Sequence, residues 1–162
     1  MAAANTSSNI THFSNVAVGV SGGSSTLTLN GVGQGAAAAK TVAAATTLTA
    51  ADSGKTIVMD AAGGATITLP TLADGVSFRF VVGAAFATTN WIVASAEGDN
   101  INGNINVNNT LIQAIGEDQI NFVATAENLG DYVDIVADSG NSQWLVFGVG
   151  FAAGSITATD PA

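Results

Sequence analysis

The residues able to do chemistry are few and poorly placed for it. The only histidine is His12. Nucleophilic catalysis needs a base beside its nucleophile, and no Gly-x-Ser-x-Gly elbow presents a serine. Glu117 and Asp118 are adjacent in a turn-like stretch. Adjacent acids on a turn do not flank a substrate bond as glycoside hydrolysis requires. Gly31-Val32-Gly33-Gln34-Gly35 departs from the dinucleotide-binding Gly-x-Gly-x-x-Gly, and the P-loop signature is absent. Two oxygen-rich clusters have calcium-type ligands: Glu97, Asp99, Asn100 and Asn102, and further on Asp131, Asp134 and Asp138. Ile101 stands where an EF-hand requires Asp or Asn, so the expectation is solvated turns with no metal and no cofactor. Arg79 alternates with Phe78 and Phe80 and therefore points away from their face. It is expected to pair with an acid of a neighbouring strand, with a ligand role as the alternative.

These side chains sit in a sparsely charged chain. Of 162 residues, 9% are charged, with twelve acids, three bases and a net charge of -9. An average soluble domain is about 25% charged. The absence of cysteine excludes a disulfide scaffold, and 48% hydrophobic residues argue against charged disorder. Three bases against twelve acids exclude electrostatic nucleic-acid binding. No apolar stretch is long enough for a membrane-spanning helix, so no membrane partner is expected. The N-terminal residues have neither the basic region nor the apolar run of a secretory signal. Asn9-Ile10-Thr11 and Asn108-Asn109-Thr110 are accordingly read as chance sequons.

Residues 1–45 are small and polar and are expected to form an extended N-terminal arm. Within it, Thr26–Leu29 alternates like a short strand, and Ala36–Lys40 is the only helix-like run. Residues 46–162 are expected to form the folded domain. Eight short strands are predicted: Thr56–Met59, Ala65–Leu69, Phe78–Val82, Trp91–Ala94, Ile101–Val107, Ile120–Ala124, Tyr132–Val136 and Trp144–Phe147. Gly, Asp and Asn separate them, as turn chemistry requires. The fold class is therefore all-β: an antiparallel β-sandwich, jelly-roll-like, preceded by the arm. Ala-Asp-Ser-Gly occurs at 51–54 and again at 137–140, which reads as one turn used twice.

Alanine supplies much of the hydrophobic fraction, beside seven Phe, two Trp and one Tyr. Such a core buries little area per residue, and subunit association would complete it, so an obligate oligomer is expected. In the run Ile101–Asn109, Asn alternates with apolar residues, which fits an edge or surface strand. Its Asn face either meets water or stacks as a ladder at a symmetry axis.

Thr47–Lys55, Thr66–Pro70, Gly75, Phe78–Val82, Gly130–Val133 and Asp138–Val146 together resemble β modules of tailed-bacteriophage virion proteins. These modules include capsid decoration or cement proteins, head fibres and tail-fibre segments. The resemblance spans about residues 46–150 and implies a trimeric, non-enzymatic β module. It implies a capsid decoration (cement) protein on the virion exterior that binds the outer surface of the major capsid protein shell and stabilises it. A charge of -9, repelled by packaged DNA, is consistent with that exterior position. In this reading the arm lies along neighbouring capsid subunits, with Ile10, Phe13 and Val16 as apolar anchors and His12 beside them. The alternative is a head-fibre or tail-fibre segment that binds host glycans, with Trp91, Tyr132 and Trp144 as a stacking platform, against the expectation that the two Trp serve core or trimer packing.

Overall fold

The computed structural model describes residues 28–29, 32–33, 39–96 and 98–161. Thr28–Leu29 (β1) and Val32–Gly33 (β2) pair as an antiparallel hairpin within a unit spanning Met1–Ala36. Everything that follows concerns the second unit, Ala37–Ala162. It is an all-β sandwich of two packed sheets, as the alternation of apolar residues predicts.

The chain enters through Lys40–Val42 (β3), Thr46–Thr47 (β4), Thr56–Met59 (β5), Thr66–Thr68 (β6), Ser77–Val82 (β7) and Trp91–Ala94 (β8). It continues through Asn100–Val107 (β9), Thr110–Glu117 (β10), Gln119–Phe122 (β11), Tyr132–Asp138 (β12), Gln143–Gly150 (β13) and Ile156–Thr159 (β14). One sheet has the order β10-β9-β13-β12-β7-β5-β3, the other β14-β11-β8-β6-β4. All eight expected strands form. β3, β4, β10 and β14 are additional, and β3 carries the domain back beyond residue 46 into the stretch expected to be arm. Ala39 lies outside any helix and Lys40 opens β3, because Val42 is drawn into the core (4% exposed).

The pairing directions divide the sandwich into two halves. From β3 to β8 successive strands alternate between the two sheets. Each crossing reverses the chain, so two crossings restore its direction and every second strand pairs parallel. β3 runs parallel to β5 and β5 to β7, while β4 runs parallel to β6 and β6 to β8. The later half has the antiparallel pairing expected from the sequence. Asn108 and Asn109, with φ of 50° and 61°, close β9 onto β10 as a two-residue hairpin. β12 pairs antiparallel with β13 and β7, and β11 with β8 and β14. One parallel pair, β13 with β9, occurs here as well. The Asn-rich β9 is thus interior to its sheet, and β10 lies outside it. Gly103 permits this contact, since a Cβ there would sit 2.0 Å from the Val146 carbonyl oxygen.

The core is continuous across both halves. Ile57, Met59, Ile67, Phe80, Trp91 and Val93 from the first half pack with Ile101, Ile105, Phe122, Val133, Ile135 and Trp144 from the second. Trp144 lies 6.4 Å from Phe78 between ring centroids. The two Ala-Asp-Ser-Gly segments overlap 3-10 turns, Ala50–Asp52 and Ser139–Asn141, at the same end of the sheet, on either side of the start of β7. Ser53 Oγ accepts from the Ser77 amide, and Asp74 accepts from the amide and hydroxyl of Ser139.

Candidate binding surface

The outer face of the seven-stranded sheet is built by side chains opposite those of the core. Cross-strand register arranges them in three rows. The first runs Ile115, Asn102, Leu145, Val136, Ser77. The middle runs Gln113, Asn104, Phe147, Asp134, Arg79, Thr56, and the third Leu111, Asn106, Val149, Tyr132, Val81, Val58. The face is rich in β-branched and aromatic groups and carries one charged pair. Phe147 is 53% exposed and Val136 40%, while Leu111 and Ile115 at the β10 margin are 61% and 72% exposed. Leu145 and Val149 beside them are half-buried.

The charged pair neutralises itself. Arg79 Nε and Nη2 each donate to one oxygen of Asp134 at 2.7 Å, and the guanidinium lies 4.8 Å from the Tyr132 ring centroid. The hydrogen bond to Asp134 raises the Arg79 pKa further, so the group stays charged. Arg79 thus has the neighbouring-strand acid that its alternation suggested. An open hollow of about 370 Å³ lies beside the pair, lined by Thr56, Ser77, Phe78 and Val136 among others.

The other two cations are also committed. Lys40 and Lys55 donate to opposite oxygens of Asp52 at 3.0 and 2.8 Å. Asp52 is buried (7% exposed) and also accepts from the Thr49 amide and hydroxyl. Burial opposes its ionisation, but the hydrogen bonds from Lys55 and Lys40 outweigh that and hold its carboxyl far below the usual range. With all three bases of the chain paired, the charge left over is negative, and it is unevenly distributed. Asp74, Asp99, Glu117, Asp118, Asp138 and Asp160 lie at the end where β7, β9 and β13 begin. The opposite end has Asp60 and Glu127 besides Asp131, which is fully buried. Asp131 accepts from the amides of Asn128 and Phe151, and Leu129 and Phe151 stand exposed around it.

The other singled-out residues do not converge. Trp91 and Trp144 are fully buried, so the stacking platform with Tyr132 does not form. Both Trp anchor the core because each sits on the inward phase of its strand. Asp131, Asp134 and Asp138 are occupied separately, Asp138 by the side-chain amide groups of Asn141 and Gln143, which donate to it. Among the described residues no group of three or more His, Cys, Asp or Glu gathers at metal-binding distance. Asn102 bonds to Gln143 and to the Gly116 amide, while Asn104 and Asn106 face solvent. Glu117 and Asp118 flank the β10–β11 connection, where the Asp118 backbone bonds to Ser95 and Thr159. Glu97 and the arm residues Ile10, His12, Phe13 and Val16 lie outside the described residues.

Phe147, Leu145, Val149, Leu111 and Ile115 were not singled out by sequence reasoning. Their signal is present in β13, where Leu145 and Phe147 are as apolar as the inward Trp144 and Val146. A strand apolar on both faces, in a sheet whose core covers only one, leaves apolar side chains on the other. No protein family model, curated protein or solved structure matches this chain.

Proposed function

We propose that this chain is a structural binding module: a capsid decoration protein that sits on the outer surface of a tailed-phage shell and stabilises it. The reading joins the sequence resemblance to one observation, the neutral apolar outer face that combines Phe147, Leu145, Val149 and Val136 with a row of Asn. Such a face buries well against another protein surface. The acidic end opposite Leu129 and Phe151 suits exposure to solvent, where net charge keeps particles apart. The shell partner is the major capsid protein, and association of the module as a homotrimer belongs to the same proposal. In the glycan-binding alternative the platform would lack both tryptophans, so the decoration reading is preferred.

The test uses the full chain and purified phage shells emptied of the module. Wild-type protein is expected to co-sediment with shells to a saturating copy number and to raise their resistance to heat. Phe147→Asp, an exposed site with no core contact to lose, is expected to stay folded and lose that binding. Failure of the wild type to co-sediment would overturn the proposal.

A further inference from the structure

The geometry points to a second copy of this chain as the partner of strand β10, paired edge to edge across a two-fold axis. β10 is eight residues long and ends its sheet among the described residues. The two-residue turn at Asn108–Asn109 makes Thr110 and Val107 a hydrogen-bonded pair, so Ile112 and Ala114 also bond inward to β9. The N–H and C=O groups of Leu111, Gln113 and Ile115 therefore point away from the sheet. Among the described residues none of them has a backbone or side-chain partner. Natural edges of this length are guarded by Lys, Pro, an inward charge or a β-bulge. Residues 110–115 contain none of these, and the bulge of this strand falls between Ile115 and Glu117, beyond the three outward positions.

Charge permits this occupant. Residues 110–116 carry no charge, so two copies of the strip meet without like-charge repulsion. The strip is also self-complementary. Leu111 and Ile115 lie symmetrically about Gln113, so antiparallel pairing centred there sets Leu111 opposite the other copy's Ile115 and Gln113 opposite itself. Each of the three residues then donates and accepts once, which gives the ladder a continuous run of bonds. Glu117, the only charge on the strand, falls opposite the turn residue Asn109 rather than another acid. The outer faces of both copies join into one surface. This contact is independent of the capsid-binding proposal and stands or falls separately from it.

Gln113→Lys and Gln113→Glu test it with the full chain. Residue 113 faces outward in backbone and side chain, so both variants keep the bonds to β9. Wild type is expected to sediment as an even-numbered oligomer at micromolar concentration: a dimer, or a hexamer where two homotrimers pair through β10. Each variant alone places like charges face to face and is expected to associate about tenfold or more weakly. An equimolar mixture of the two is expected to restore association. Amide exchange gives a second reading without substitution: protection at Leu111, Gln113 and Ile115 should rise with protein concentration. A monomeric wild type, an oligomer whose mass neither variant changes, or unprotected amides at these three positions at every concentration would overturn the proposal.

Discussion

The first half of the sandwich, β3 to β8, and the second, β9 to β14, reach the same layered core by different routes. In the first, the chain crosses between sheets at every turn, so neighbours in a sheet are separated by a full circuit: Lys40 lies beside Ile57, and Ile57 beside Phe80. In the second, hairpins such as β9–β10 and β12–β13 place partners a few residues apart. Both halves deliver alternating side chains to one interior, because a strand has period two whichever way its neighbour runs. Burial is thus indifferent to direction, and the loops decide it. In the parallel half Lys40, Lys55 and Asp52 form an ion cluster between β3 and the start of β5. The antiparallel half presents the long β10 margin, uncharged as far as Glu117.

The sharpest way to break this comparison is to ask whether the halves unfold as one. Trp144→Ala in the antiparallel half is expected to cost about 3–5 kcal/mol, and Ile57→Ala in the parallel half about 2–5 kcal/mol. Both side chains are fully buried in the shared core. Both variants should therefore lower a single transition seen alike by tryptophan fluorescence and circular dichroism in a denaturant series. Two separated transitions would show that the circuits and the hairpins are independent units.

A smaller effect is expected at the charge cluster of the parallel half. Asp52→Asn removes a carboxylate that accepts from two ammonium groups, and about 1–3 kcal/mol should be lost at neutral pH. The folded-state pKa of Asp52 is depressed below its ordinary 3.8. Its stabilising contribution is therefore complete above that value and is lost as the pH falls further. The gap between wild type and variant, measured by urea unfolding, should narrow below pH 4. A gap that stays constant across the acid range would assign the loss to packing instead.

The smallest effect is expected where the halves meet on the outer face, at the Arg79–Asp134 pair between β7 and β12. Both partners are substantially exposed, so Arg79→Met should change stability by about 1 kcal/mol or less, with the difference fading in high salt. A larger, salt-insensitive loss in thermal melts would show that stacking on Tyr132 carries the contact.

Much of this architecture was readable in the amino-acid sequence. Strand-forming residues located Phe78–Val82, Tyr132–Val136 and Trp144–Phe147, and alternation placed Arg79 opposite Phe78 and Phe80. Composition alone established a sparsely charged, anionic, cysteine-free chain. β4 and β14 escaped notice because two to four residues of Thr and Ala carry little periodic signal. β10 did so because both of its faces are largely uncharged, so no polar alternation marks it.

Only the tertiary structure decided which strands became neighbours, that the first half winds parallel, and that the Asn-rich strand is interior while β10 forms the margin. It also decided that both Trp serve the core and that Phe147 stands in the open. The reason is physical: period-two patterning records which side of a strand is buried. It carries nothing about the direction of the adjacent strand or the sheet a loop leads to, and those depend on contacts between residues far apart in the chain.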